Sequence, residues 1–175
     1  MKVRSILIIA LTIITIKLQA QHKFQPFENL LGNWKGTGAG FSNNTSTIMS
    51  SFQFTLNQQY IEVKNESVFK PTEKNPTGEV HQDWGFISFD KQRKLFVFRQ
   101  FHIEGFVNQY IFNQAISTPE KLVFESEIIE NFVPGGKARW TIIINNENAI
   151  ETIFDLQMPG KEFVCYGTNK LEKLN

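Results

Sequence analysis

Leu31-Gly32-Asn33-Trp34-Lys35-Gly36-Thr37-Gly38-Ala39-Gly40 is the stretch whose reading decides the fold. A lone tryptophan stands among four glycines, and no helical period runs through them. Glycine this dense opposes a helix and weakens an ordinary strand, but it lets a strand bend sharply at a barrel mouth. A Gly-x-Trp-x-Gly-x-Gly run that opens a β-rich chain therefore reads as the first strand of a small antiparallel barrel. Barrels of this kind enclose cavities, and the cavity is where function would sit.

Upstream, residues 23–31 carry Phe24, Phe27, Leu30 and Leu31 at spacings of three and four. That spacing predicts one short amphipathic helix, placed to cap an end of the barrel. Downstream, strand-like runs lie at about 33–41, 47–56, 59–69, 81–89, 94–103, 105–115, 121–130, 137–145, 149–157 and 161–172. Turn residues separate them, among them Asn57-Gln58, Glu104-Gly105 and Pro159-Gly160. The one long connection, 70–79, holds two prolines and a glycine. Strands joined by short hairpins make a meander, and a long meander removes its open edges by closing on itself. The expected fold is all-β: a single closed antiparallel up-and-down β-barrel of about ten strands with a short N-terminal capping helix.

Residues 1–20 stand apart. Lys2 and Arg4 precede an apolar run from Ile6 to Ile16, and Leu18-Gln19-Ala20 ends it before Gln21. The run is too short to span a bilayer comfortably, and the pattern predicts a secretory signal peptide. Residues 21–175 are then one barrel domain with no membrane span. The expected location is periplasmic or extracellular, in a bacterium. The acceptor motifs at Asn43, Asn44 and Asn65 would accordingly stay unglycosylated.

Removal of that segment lowers Lys+Arg from 18 to 15 against 17 acids, a net charge of −2. With no basic patch, a nucleic-acid partner is excluded. The single cysteine, Cys165, forms no internal disulfide, and its apolar neighbours predict a buried structural thiol. Seventeen phenylalanines exceed what an ordinary small core needs, which predicts an aromatic-lined cavity or a thick, ring-rich core.

The Gly32-x-Trp34 opening is similar to that of the calycin superfamily: lipocalins, fatty-acid-binding proteins and avidins. There the tryptophan closes one end of the barrel and a basic residue from the last strand packs over it. The resemblance implies Gly32, Trp34 and Lys170 as the barrel-closing set. His81-Gln82-Asp83-Trp84-Gly85-Phe86-Ile87 resembles the His-x-acidic-x-Gly-Phe-Ile segment of the nitrobindin-like haem-binding barrels. Those have ten strands and the same Leu-Gly-x-Trp opening after a short helix. The members that bind haem use a histidine near the C-terminus. This chain has His22, His81 and His102, and the matching stretch Lys161-Glu162-Phe163-Val164-Cys165-Tyr166 has none. No cofactor is assigned, because haem lacks its matching ligand.

Other constellations are weak. His81, Asp83 and His102 could form a two-histidine, one-carboxylate metal site, but such residues in a β protein more often sit at the surface or in hydrogen bonds, so no metal is assigned. No nucleophile elbow is present, and Glu125 and Glu127 share what is usually a solvated wall. The glycines of 36–40 lack the helix and lysine of a phosphate loop. No catalytic residue is assigned.

Two strands offer candidate ligand contacts. Leu95, Val97, Arg99, Phe101 and Ile103 share one face; Phe96, Phe98, Gln100 and His102 share the other. Which face points inward is undetermined, because a one-residue slip exchanges them. Fatty-acid-binding proteins hold a carboxylate with inward arginines and a tyrosine. By that analogy the ligand-binding candidates are Arg99, Phe101, Tyr110, Arg139, His81 and His102. The expected function is sequestration or carriage of a small apolar or amphipathic ligand. The alternatives are a haem- or nitrogen-oxide-interacting redox protein or enzyme, and a filled barrel with a structural or interaction role.

Overall fold

The computed structural model describes residues 23–40, 45–73 and 75–174. The predicted signal peptide, His22, Asn43 and Asn44 lie outside them.

Ten strands follow one another: β1 (Gly32–Gly40), β2 (Thr45–Thr55), β3 (Tyr60–Phe69), β4 (Glu79–Asp90), β5 (Leu95–His102), β6 (Val107–Phe112), β7 (Lys121–Glu130), β8 (Lys137–Asn146), β9 (Ala149–Gln157) and β10 (Val164–Leu174). Each pairs antiparallel with its chain neighbours, and β1 pairs with β10, so the sheet closes. Gly36 permits that closure: a Cβ there would lie 1.8 Å from the Lys170 carbonyl oxygen.

The segment before β1 is a 3₁₀ helix, Gln25–Leu30, with Pro26 in its first turn. The expected helical period of 3.6 is replaced by a period of three, which stacks Phe24, Phe27 and Leu30 in one ridge. All three are fully buried. The helix plugs one end of the barrel. Phe27 packs edge-on to Phe96 and Phe112, at centroid distances of 4.9 and 5.1 Å. Trp34 Nε1 donates to the Leu30 carbonyl at 2.7 Å, tying the plug to β1.

The cation over Trp34 is Lys173, not Lys170. Lys173 is the direct cross-strand partner of Trp34, with its Nζ 5.2 Å from the indole. The side-chain alternation of β10 decides this: Leu171 points into the core, Lys173 shares its face, and Lys170 is one residue out of phase. Gly32 makes room, since a Cβ there would meet Lys173 Cε at 2.9 Å, and its φ of 127° suits only glycine. Cys165 is exposed rather than buried, at the register shift between Cys165 and Gly167 that breaks the alternation of β10.

Inward-facing residues grade along the barrel axis. On β2 they run Phe52, Ser50, Ile48, Ser46 from plugged end to open end; on β3 Ile61, Val63, Asn65, Ser67; on β5 Phe96, Phe98, Gln100, His102. The plugged end holds a ring-rich core in which Phe98, Phe124 and Trp140 lie within 5.9 Å of one another by centroid. The other end is left open and polar.

Candidate functional site

Above that aromatic floor lies a cavity of about 710 Å³, within the range of small-molecule sites. Its two sides differ. Asn65, Asp83, Gln100 and His102 present polar groups from β3, β4 and β5, while Trp140, Phe154 and Leu156 present apolar surface from β8 and β9. β4 and β9 are five strands apart in the ten-strand ring, so these walls face each other.

Asp83 is the centre of the polar wall. It is inward because it alternates in phase with buried Gly85 and Ile87. Its Oδ1 accepts from Asn65 Nδ2 and Gln100 Nε2, both at 2.6 Å. The cross-strand register places these partners: Asn65 is directly opposite Asp83, and Gln100 is diagonal to it. Burial raises the Asp83 carboxyl to about 6, partly offset by the two amide donors, with Glu104 adding a smaller upward push.

His102 stacks on Phe106 at 4.1 Å. Burial lowers its imidazole to about 4, so it is neutral at neutral pH. Asn108 Nδ2 donates to His102 Nε2 at 3.0 Å and to the Tyr110 hydroxyl at 2.8 Å. Tyr110 is fully buried, and its hydroxyl is pushed above the ordinary phenol range by burial, so it too is neutral. Asn108 Oδ1 is buried with no partner among the described residues. At the rim, His81 bridges Glu79, with Nε2 at 2.7 Å, and Glu104.

The structure divides the six candidate ligand contacts. His81 and His102 line the cavity. Tyr110 lies in the wall beneath it, tied to His102 through Asn108. Arg99, Phe101 and Arg139 face outward. Arg99 is exposed and bonds Gln109, Phe101 is 53% exposed, and Arg139 pairs with Asp155 at 3.0 Å. The pleat gives the reason: Phe98, Gln100 and His102 take the inner face of β5, which sends Arg99 and Phe101 outward. On β8 buried Ala138 and Trp140 do the same to Arg139. Glu125 and Glu127 hold Asn113, Arg93 and Gln109 on the outer wall. The Asn65 acceptor motif is turned inward, its amide nitrogen on Asp83.

The residues do not fit haem as the resemblance implies. Tyr166, Gly167 and Asn169 line the cavity from β10 and none is a histidine, and the lone pair of His102 Nε2 is taken by Asn108. No cluster of three or more metal-ligating side chains occurs among the described residues.

In the sequence Asp83 stands out only beside His81 and His102, and no motif there marks Asn65, Gln100 or Asn108 as its companions in a ligand site. Their signal is polar residues in phase with an aromatic stripe: Gln100 and His102 alternate with Phe96 and Phe98, and Asn108 with Phe112.

No protein-family model matches the sequence, and no curated protein does. Among solved structures, Rv2717c from M. tuberculosis superposes with a TM-score of 0.62 at 13% identity, covering 87% of this chain and 98% of that one. The designed barrel EF1p2_mFAP2b, bound to DFHBI, gives 0.46 at 12% identity over 84% and 95% of the two chains. The likeness to Rv2717c shows the fold.

Proposed function

We propose that this chain is an exported small-molecule-binding barrel that holds an amphipathic ligand in its open end. The observation that carries this reading is the cavity of about 710 Å³, in which Asn65, Asp83, Gln100 and His102 face Trp140, Phe154 and Leu156 across the lumen. A solid barrel would continue the packed core to both ends. Here the inward residues become small or polar where the cavity begins, and Asp83 is kept in a position that raises its carboxyl. The nitrobindin-like resemblance of His81-Gln82-Asp83-Trp84-Gly85-Phe86-Ile87 supports use of the interior as a binding site, with a ligand other than histidine-ligated haem. Export rests on residues 1–20.

Native mass spectrometry of the protein purified from its own host tests the reading. A non-covalent adduct of small-molecule mass is expected, lost in Ser67→Trp, whose indole would occupy the mouth. A bare protein mass, with no uptake of amphipathic probes by the wild type, would leave the filled-barrel alternative. The same preparation gives the mature N-terminus, expected near Gln21.

A further inference from the structure

We propose that the cavity selects a cationic or strongly hydrogen-bond-donating ligand, an apolar body ending in an ammonium or amidinium group, and rejects carboxylates. This rests on the binding reading above and names the chemistry of its ligand. The first ground is the way the polar wall spends its donors. Asn65 and Gln100 both direct an amide N–H at Asp83 Oδ1. Asp83 Oδ2, Asn65 Oδ1 and Gln100 Oε1 make no hydrogen bond among the described residues, and all three residues line the cavity. Three adjacent strands thus bring the second oxygen of one carboxylate and two amide oxygens to the cavity lining, each with acceptor capacity left over. An ammonium has three N–H donors and no acceptor, and a carboxylate has acceptors only.

The second ground is charge. Glu79, Asp83 and Glu104 line the cavity, and among its described residues the one lysine or arginine is Lys70, in the β3–β4 loop. The arginines that would receive a carboxylate, Arg99 and Arg139, are on the outer surface. Of the groups facing Asp83, His102 and Tyr110 are neutral at neutral pH, Glu104 adds negative charge, and His81 is taken up between Glu79 and Glu104. A buried carboxylate beside an anionic ligand is a like-charge pair, offset only by Lys70 in the loop and by His81, which is already held between Glu79 and Glu104, whereas beside a cation it gains a charge-assisted bond. The third ground is the opposite wall, where Phe154 and Leu156 give the ligand's body an apolar bed across from Asp83.

The test is isothermal titration calorimetry at pH 7.5 with three probes of one shape: 1-naphthylmethylamine, 1-naphthalenemethanol and 1-naphthoate. The amine is expected to bind at least about tenfold tighter than the alcohol, as for a bond to a charged partner, and the carboxylate more weakly than either. Asp83→Asn keeps the shape and both amide contacts, and should bring the amine down to the alcohol's affinity. The wild-type ranking needs no variant, so a folding defect in Asp83→Asn cannot hide the answer. Equal or tighter binding of the carboxylate, or an amine preference that survives Asp83→Asn, overturns the inference and leaves the binding reading standing. Binding of none of the three, together with a bare native mass, overturns both. If none binds but a native ligand is carried, an anionic ligand overturns the inference and a basic one upholds it.

Discussion

The two ends of the barrel are made from the same ten strands, with the same pleat and the same hairpins. They differ in what the inward positions carry. At the plugged end Phe24, Phe27, Phe52, Phe96, Phe112 and Phe124 fill the lumen, each at most 6% exposed. At the open end the same strands turn Ser46, Ser67, Asp83, Gln100 and His102 inward. Apolar packing gains stability with each ring removed from water, while a buried carboxylate costs it. One end therefore holds the fold together, and the other is maintained at the fold's expense.

The largest effect that would break this contrast is at the plug. Phe27→Ala should lower unfolding free energy by about 3–5 kcal/mol, because the ring is fully buried against three others and its loss leaves a void. Urea denaturation measures it. A loss under about 1 kcal/mol would show that the helix merely rests on the barrel.

At the open end the sign should reverse. Asp83 has its carboxyl raised from 3.8 to about 6 in the fold. Between those values the native state keeps a proton that the unfolded chain releases, so this group's contribution to stability falls as pH rises through the window. Asp83→Asn should therefore stabilise the protein above pH 6 by about 1–3 kcal/mol and change little near pH 4. A destabilised Asp83→Asn at pH 7.5 would sink the idea that this site is held against the fold's interest.

His102 titrates the opposite way. Its folded value is lowered from 6.5 to about 4, so the unfolded chain binds the extra proton and stability is lost as pH falls through that range. The two slopes offset each other in the wild type. Removal of Asp83 should expose the His102 slope, giving Asp83→Asn a stability that climbs from pH 4 to 6.5. Equilibrium unfolding at half-unit pH steps reads it, and a flat profile in the variant would refute the pairing.

The smallest effects sharpen the closure of the plugged end. Lys173→Ala should cost about 0.5–1 kcal/mol through the lost cation over the Trp34 face. Lys170→Ala, three residues earlier and on the outer wall, should stay within about 0.5 kcal/mol of wild type. Equal losses would mean that the indole contact contributes nothing beyond burial.

All ten strands were legible, because turn residues punctuate the chain and β-branched and aromatic runs fill the gaps. The plugging segment was legible as well, although three-residue spacing proved to be a 3₁₀ ridge. The site was legible only in part. Arg99 and His102 stood together as candidates although odd and even residues of one strand cannot share a face, and the structure gives the inside to His102. Lys170 failed for the same one-residue reason.

By itself the sequence determined the strand count, the closed meander and the plugged end, since local turn chemistry and period-two runs are written along the chain. Tertiary structure alone decided the rest. Cross-strand register around the closed sheet fixed the phase of the strands, and phase determined which side chains face in. It brought Asn65, Asp83 and Gln100 from three strands around one carboxylate oxygen and sent the arginines to the surface. The alternation of β5 alone does not encode that choice, since both of its faces carry apolar residues and a one-residue change of phase exchanges inside for outside.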